Sequence, residues 1–291
     1  MILLTGGTGL IGSRVLARLV ARRAPVRCLV RDPRRLGPDR VRVQITLGDL
    51  ADPSWLRQGL RGVTTVLHLA GSERDQPHTS VEEVDGLAVW RLLRAAEAAG
   101  VEHLLFVSAL GATPWHRTRV HRAKALAERA VAESALRTTT LRCSTVYAPG
   151  DDRLTRLERL ALLPAVPLTG RGRARVQPIL ADDLADCVLA AMDLPAEGAP
   201  AHATYELAGP EVVTQRELVD LALRGRRSLL PIPEWALRRV LVAHETLTGP
   251  AAVATWSEAS FRAAGMTTPR GAADAVALGV RPRAVSEVLA G

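Results

Sequence analysis

Short apolar runs alternate with longer amphipathic segments along the first half of the chain. Six runs read as strands, because they are apolar throughout or alternate apolar with polar residues. They lie at residues 2–5, 26–30, 41–47, 64–70, 103–109 and 138–146. Segments with helical periodicity lie between them at residues 10–23, 81–99 and 116–136. This alternation predicts a doubly wound α/β fold, in which helices cover both faces of a parallel sheet.

After Tyr147 the chain becomes irregular and rich in proline and glycine. Three further elements are still predicted, at residues 181–193 (helix), 203–209 (strand) and 214–264 (helical, interrupted by Pro231 and Pro233). We expect residues 1–150 to form the core of the fold. Residues 151–291 are expected to form a small C-terminal cap that also returns at least one strand and some helices to the core.

Composition limits the classes of protein to be considered. The 291 residues are 47% hydrophobic and 23% charged, as in ordinary globular proteins. No apolar run approaches the ~18 residues of a membrane span, and the first residues lack the pattern of a secretory signal. Neither the three cysteines nor the seven histidines have metal-ligand spacing. We expect a cytoplasmic protein with reduced thiols and no metal, as a monomer or a homodimer.

The formal net charge of +8 raises the question of nucleic-acid binding. However, the basic residues are spread along the whole chain, and only 3% of residues are aromatic, too few for a base-stacking surface. A face that attracts phosphorylated small molecules explains the charge better. We expect a small-molecule substrate and no nucleic-acid partner.

A glycine-rich segment, TGGTGLIG, connects the first strand to the first helix. Glycines permit a tight turn, and they let backbone N–H groups at the positive end of a helix approach a pyrophosphate. A glycine pattern alone is weak evidence, but its place between a strand and a helix strengthens it. The segment predicted to bind a dinucleotide consists of Thr5, Gly6, Gly7, Thr8, Gly9, Leu10, Ile11 and Gly12.

The end of the second strand indicates which dinucleotide to expect. Sites that prefer NAD usually have a carboxylate there, which bonds the ribose 2′-hydroxyl. Here Arg31 is in the terminal position and Asp32 follows it, and neighbouring side chains on a strand point in opposite directions. Arg31, helped by Arg34 or Arg35, could pair with the 2′-phosphate of NADP. We expect NADP(H), while the usual spacing of Asp32 after Gly12 leaves NAD(H) possible.

These segments resemble the extended or atypical branch of the short-chain dehydrogenase/reductase superfamily, nearest to its NmrA-like group and to the NAD(P)H-binding accessory subunit of respiratory complex I. TGGTGLIG is similar to the TGxxGxxG motif of that branch, and LVRDP to its NADP-type strand end. The resemblance covers nearly the whole chain and implies a Rossmann fold. It also implies cofactor contacts from two more loops, made by Asp49, Leu50, Leu69, Ala70 and Gly71.

The catalytic pattern of that superfamily is YxxxK, in which four residues along a helix place both side chains on one face. Lys124, the only lysine of the chain, fits the second position, while Val120 stands where the tyrosine is expected. The resemblance implies that Lys124 holds the nicotinamide ribose and that Ser108 contacts the substrate. Lysine and arginine are not interchangeable in such a role, which supports a function for the single lysine.

Without the tyrosine, the source of a proton is open, and general acid–base help is typically worth about 10²–10⁴ in rate. His121 lies near the tyrosine face of the predicted helix and can titrate near neutrality, although a surface histidine beside the pocket is the more common case. We therefore predict Lys124, Ser108 and His121 as catalytic residues. The predicted substrate-binding residues are Ser108, Ala109, Tyr147 and Trp115, the last with ordinary packing as the alternative.

The expected function is an NADP(H)-dependent reductase of a small aromatic or conjugated carbonyl or quinone, with a proton from water, His121 or another group. One alternative is a protein that binds NADPH without turnover, as a sensor, regulator or assembly subunit. Another is a cofactor-bound scaffold that catalyses a non-redox isomerisation or cyclisation.

Overall fold

A computed structural model describes residues 1–50, 52–76, 79–160, 162, 164–198, 200–225, 228–249, 252 and 254–290. Its strands are β1 (Ile2–Thr5), β2 (Val26–Val30), β3 (Gln44–Leu47), β4 (Thr65–His68), β5 (His103–Ala109), β6 (Arg137–Cys143), β7 (Val146–Tyr147), β8 (Ala165–Thr169), β9 (Arg175–Val176), β10 (Ile179–Leu180), β11 (His202–Leu207), β12 (Val213–Thr214) and β13 (Ser228–Ile232).

The α-helices are α1 (Leu10–Ala21), α2 (Leu56–Gly59), α3 (Ala88–Ala98), α4 (Arg119–Ala132), α5 (Asp152–Leu160), α6 (Ala181–Met192), α7 (Gln215–Ala222), α8 (Glu234–Thr248), α9 (Trp256–Arg262), α10 (Ala273–Ala277) and α11 (Val285–Ala290). Two segments form 3₁₀ turns, at Pro33–Val41 and Pro53–Trp55, and a π-helical turn, Glu83–Leu87, leads directly into α3. Among the residues described, no helix has the length and apolar character needed to cross a membrane.

Seven parallel strands form the central sheet, in the order β11-β6-β5-β4-β1-β2-β3. Adjacent residues of each strand face opposite sides of the sheet. Leu4 and Leu105 pack on one side against residues of α1 and α6, while Leu3 and Leu104 pack on the other against residues of α3 and α4. The predicted doubly wound Rossmann fold is confirmed.

The order of the strands reverses between β1 and β4, because the chain first builds β1-β2-β3 and then continues on the other side of β1. In open α/β sheets, ligands bind outside the carboxyl ends of the strands at such a switch point. The loops that follow β1, β4, β5 and β6 all leave the sheet at this edge. The fold therefore places the glycine-rich segment at the expected ligand-binding position.

The C-terminal cap matches its prediction less closely. β11 joins the edge of the sheet as expected, next to β6. The prediction of a helical segment over residues 214–264 was wrong at Ser228–Ile232, which form a strand parallel to β8. Proline disfavours a central strand but is tolerated in a two-stranded pair with free edges, so Pro231 is compatible with this strand. The proposed domain boundary at residue 150 stays a prediction.

Candidate functional site

The segment TGGTGLIG forms the floor of a groove at the switch point. Gly6 has φ +76°, and a Cβ there would lie 2.6 Å from the backbone nitrogen of Ala70. A Cβ at Gly12 would lie 2.0 Å from the carbonyl oxygen of Gly6. Both contacts are shorter than any side chain allows, so these positions need glycine. The segment thus packs directly against the loop that follows β4.

The first turn of α1 is open toward this groove. Gly9 precedes the helix and offers no side-chain cap, and the first turn contains no acidic residue. The first backbone N–H groups of a helix have no partner within the helix and carry partial positive charge. They suit an anionic group such as a pyrophosphate, and no Cβ at Gly9 shields them. The local structure therefore fits a dinucleotide.

Two cavities continue along the groove. The outer cavity, of about 260 Å³, lies at the carboxyl ends of β1 and β2. Its lining includes many of the predicted cofactor ligands: Thr5, Gly6, Thr8, Gly9, Arg31, Asp49, Leu50, Leu69, Ala70 and Gly71. The inner cavity has a volume of about 610 Å³, and its lining includes Leu10, Ile11 and Gly12. Gly7 lines neither cavity.

At the outer cavity, Arg31 and Asp32 have different environments. Arg31 and Arg35 line the cavity, with a guanidinium nitrogen of Arg31 3.7 Å from a carboxylate oxygen of Asp49. Asp32 and Arg34 do not line it. Instead, the carboxylate of Asp32 accepts hydrogen bonds from the backbone and side chain of Arg34, both at 3.0 Å. These bonds hold the pKa of Asp32 below its usual range.

At the inner cavity, Lys124 is held by a buried carboxylate. Its Nζ lies 2.9 Å from Oδ1 of Asp85 and donates a hydrogen bond of 3.1 Å to the carbonyl oxygen of Val107. The side chain of Asp85 is 0% exposed, and its Oδ2 accepts from the backbone N–H of Ser72. Gly71 packs against the pair, because a Cβ there would lie 2.7 Å from Asp85 Oδ1. The ammonium group of Lys124 is therefore fixed in place at the wall of the cavity.

Asp85 was not among the predicted site residues. It belongs to the π-helical turn before α3, where Val81, Ala88 and Leu92 are buried nearby. These positions follow each other at helical spacing, so an apolar stripe runs through Asp85. A carboxylate in such a stripe is rarely buried without a partner, and this signal could have identified it.

The hydroxyl of Ser108 lines the same cavity as Lys124. Ser108 is 4% exposed, and its Oγ has no hydrogen-bond partner in the described part of the chain. Buried hydroxyls normally have one, so this oxygen is suited to a ligand. Ala109 and Val120 also line the cavity, and Val120 presents only an apolar surface where the resemblance would place a tyrosine.

The far wall of the inner cavity comes from distant parts of the chain. Phe261, Arg262 and Met266 contribute from α9 and the segment after it. Arg262 donates a 2.7 Å hydrogen bond to Glu73 in the loop after β4, so these two walls are connected. No sequence motif marked this segment, and the prediction did not include it.

Three of the residues predicted to act in catalysis or substrate binding lie away from both cavities. His121 is fully buried, and its ring nitrogens bond Thr118 Oγ1 at 2.6 Å and the carbonyl oxygen of Leu110 at 3.1 Å. Burial lowers the pKa of His121 to about 4. Tyr147 is buried in a separate cluster of the C-terminal cap, where burial raises its pKa, and Trp115 is 92% exposed. The structure thus brings Ser108, Ala109 and Lys124 together, but not these three.

Within the described residues, there is no group of three or more histidine, cysteine or acidic side chains arranged to hold a metal ion. The cysteines are buried, unpaired thiols. The polar side chains that line the inner cavity are hydroxyls, the thiol of Cys143, the ammonium of Lys124 and several charged groups.

A family model described as NAD(P)H-binding matches residues 6–194 of this chain. An NAD(P)H azoreductase of Xenophilus azovorans is 36% identical over 115 residues, which are 39% of this chain and 37% of that protein. The photosystem II assembly factor Ycf39 of Trieres chinensis is 32% identical over 37% of this chain and 34% of its own length. The matched segments thus span about a third of these two relatives.

A longer match joins this chain to subunit 9 of the NADH dehydrogenase 1 alpha subcomplex of Arabidopsis thaliana, 29% identical over 74% of this chain and 55% of that protein. Among solved structures, the NADPH-dependent quinone oxidoreductase QOR2 of Escherichia coli with NADPH has a TM-score of 0.73 at 19% identity, over 100% and 99% of the two chains. UDP-glucose 4-epimerase of Thermus thermophilus with NAD has a TM-score of 0.72 at 20% identity, over 99% and 97%. At such low identity, these structures establish the fold alone.

Proposed function

Because this chain belongs to the NAD(P)H-binding family, we propose that it is an NADP(H)-dependent reductase of a small conjugated carbonyl or quinone. One observation carries the proposal: the unpartnered hydroxyl of Ser108 and the fixed ammonium of Lys124 line one cavity at the open end of α1. A volume of about 610 Å³ is in the usual range for a small-molecule site.

In this proposal, bound NADPH supplies a hydride at the inner cavity. The backbone of the glycine-rich segment and the first turn of α1 bind the pyrophosphate. Arg31 and Arg35 bind the 2′-phosphate, since both line the outer cavity while Asp32 is engaged with Arg34. Lys124 orients the nicotinamide ribose, and Asp85 positions Lys124.

On the substrate side, the hydroxyl of Ser108 donates a hydrogen bond to the oxygen that gains negative charge. Val120 supplies no proton, and His121 is withheld from the cavity by its own hydrogen bonds. A conjugated carbonyl or quinone spreads the negative charge over several atoms, so water suffices as the final proton source. The relatives named azoreductase and (4-alkanoyl-5-oxo-2,5-dihydrofuran-3-yl)methyl phosphate reductase support a reductive function.

The test is consumption of NADPH by the purified protein with a panel of quinones and conjugated carbonyls, with product identified directly. Ser108→Ala is expected to lower kcat by about 100-fold, as for loss of one hydrogen-bond donor to a developing oxyanion, with the Kd for NADPH unchanged. Ser228→Ala, at an exposed serine of β13, serves as the control. NADPH binding without consumption by any panel member contradicts the proposal.

A second candidate function is binding of NADPH by an assembly or regulatory protein. It is favoured by Val120 at the position of the expected acid and by α8, which has no buried residue and leaves Trp235 65% and Leu247 87% exposed. Relatives include an assembly factor of photosystem II and a subunit of an NADH dehydrogenase. The turnover experiment distinguishes the two candidates.

A further inference from the structure

A third cavity, here called the arginine cavity, lies beside the inner cavity and has a volume of about 680 Å³. It is lined by the loop after β4, the beginning of α4, and residues of α8 and α9. No residue lines both this cavity and the inner cavity, and only Gln76 is shared with the outer cavity. It is therefore separate from the groove to which the cofactor is assigned.

The lining of the arginine cavity carries an excess of positive charge. Its basic residues are Arg74, Arg117, Arg119, Arg122 and Arg238. Its acidic residues are Asp75, Glu234 and Glu245. Guanidinium groups bind carboxylates and phosphates through paired hydrogen bonds, so such a lining attracts anions.

Some of these charges are already paired. Arg119 bonds Asp75 at 2.8 Å and also bonds Glu82, while Arg117 lies 3.6 Å from Glu234. Glu245 accepts a hydrogen bond from the backbone N–H of the residue that begins α9. With Glu82 included, four carboxylates stand against five guanidinium groups, so a smaller excess of positive charge remains.

Three arginines have no carboxylate partner among the described residues. Arg122 donates to the backbone oxygens of His116 and Arg117, at 2.9 and 3.1 Å. Arg74 donates to a single backbone oxygen at 3.0 Å. Arg238 is exposed on α8 and makes no ion pair with the described residues. These three groups keep donors available for a ligand.

The uncharged side chain of Ser257 also has a hydrogen-bonding group available for a ligand. The hydroxyl of Ser257 lines the cavity, is shielded from solvent, and has no hydrogen-bond partner in the described part of the chain. Shielded hydroxyls without a partner are uncommon in folded proteins. A ligand oxygen in the cavity would satisfy it.

We infer that the arginine cavity binds a small organic anion with at least two negative charges, carried by phosphate or carboxylate groups. The inference goes beyond the proposed reductase function and does not depend on it. The cavity, of about 680 Å³, is in the usual size range of a small-molecule site. Because α4 and α9 also supply Val120 and Phe261 to the inner cavity, the anion would contact the same two helices that shape the substrate site.

The test is calorimetric titration of pyrophosphate and, separately, of citrate into the protein saturated with NADPH, so that the glycine-rich segment is occupied. Arg238→Gln and Arg122→Gln are expected to weaken anion binding at least about 10-fold. Arg129→Gln is the matched control, since Arg129 is on α4, pairs with Glu133 and lies outside the cavity. Pyrophosphate binding alone indicates a phosphate ligand, whereas binding of both probes indicates recognition of charge in general.

The absence of binding by both probes overturns the inference, as does equal weakening in Arg129→Gln. Arg238 makes no ion pair that folding could need, so Arg238→Gln keeps the test decisive if Arg122→Gln misfolds. The Kd for NADPH is measured in parallel on each variant. If NADPH itself fails to bind, the reductase proposal fails, and the anion titration is then interpreted on the free protein.

Discussion

The two ends of the cofactor groove are built in different ways. At the outer end, a glycine-rich turn is combined with exposed charges such as Arg31, whose side chain is 58% exposed. At the inner end, Lys124 and the fully buried Asp85 form an ion pair between elements that are far apart in sequence. Charge changes at the outer end should therefore alter ligand preference at little cost in stability. At the inner end, the same kind of change should lower the stability of the whole fold.

The largest effect is expected from Asp85→Asn, which leaves the ammonium of Lys124 without its carboxylate. Removing one partner of a buried ion pair costs about 3–5 kcal/mol, and we expect about 3 because Lys124 keeps the carbonyl of Val107. The free energy of unfolding in urea measures this loss. Glu133→Gln breaks the exposed pair with Arg129 and should cost less than about 1 kcal/mol. Similar losses in both variants would contradict the claim that the buried pair at the inner end stabilises the fold more than an exposed ion pair does.

The next effect is expected in the glycine-rich turn that connects the two cavities, at Gly12. Gly12→Ala forces a Cβ to within 2.0 Å of the carbonyl oxygen of Gly6. We expect NADPH to bind at least about 100-fold more weakly, equal to about 2.7 kcal/mol. Gly7→Ala is the control in the same turn, since its Cβ would meet only side-chain atoms of Leu4 and Leu36, the nearest a methyl group of Leu4 at 3.3 Å. Calorimetry measures binding, and unchanged affinity in Gly12→Ala would show that the turn does not hold the cofactor.

Acidic pH should lower the stability of the fold through two buried histidines behind the inner cavity. Burial lowers the pKa of His68 to about 3 and that of His121 to about 4. The unfolded chain, with histidine pKa values near 6.5, takes up protons first, so stability is full above pH ~6.5 and falls as pH decreases toward 4. Each histidine should account for about 2 kcal/mol between pH 7 and pH 5. Urea unfolding of His121→Asn over this range should show a smaller loss than the unchanged chain, and equal losses would contradict the assignment.

Much of the fold could be predicted from the sequence, because most strands of the central sheet are local runs that are apolar or alternate apolar with polar residues. β5 was predicted at its observed bounds, and the turn of TGGTGLIG was placed correctly between β1 and α1. Ser228–Ile232 was missed, since Pro231 argues locally against a strand and only pairing with β8 stabilises it. The local sequence pattern does not predict this pairing, because β8 and β13 are far apart in the chain.

The residues of the candidate site also fall into two groups, those marked by a local sequence pattern and those that depend on tertiary contacts. The glycines and Arg31 carry a recognisable local pattern, so many residues that line the outer cavity are among those predicted from the sequence, and their role in cofactor binding stays a prediction. Asp85 was missed because its role depends on how the turn before α3 packs against α4. Phe261 and Met266 reach the inner cavity only after the C-terminal cap folds back onto the sheet, and no short motif records that contact.

The central claim is that the groove binds NADP(H) through its phosphate-facing arginines, and calorimetric titration of NADPH and NADH tests it most directly. We predict that NADPH binds at least about 10-fold more tightly than NADH, equal to about 1.4 kcal/mol, and that Arg31→Ala removes most of this difference. Arg40→Ala, at an exposed arginine of the 3₁₀ turn Pro33–Val41 that does not line the outer cavity, should keep this preference. Absence of binding by either nucleotide, or an unchanged preference in Arg31→Ala, would contradict the account.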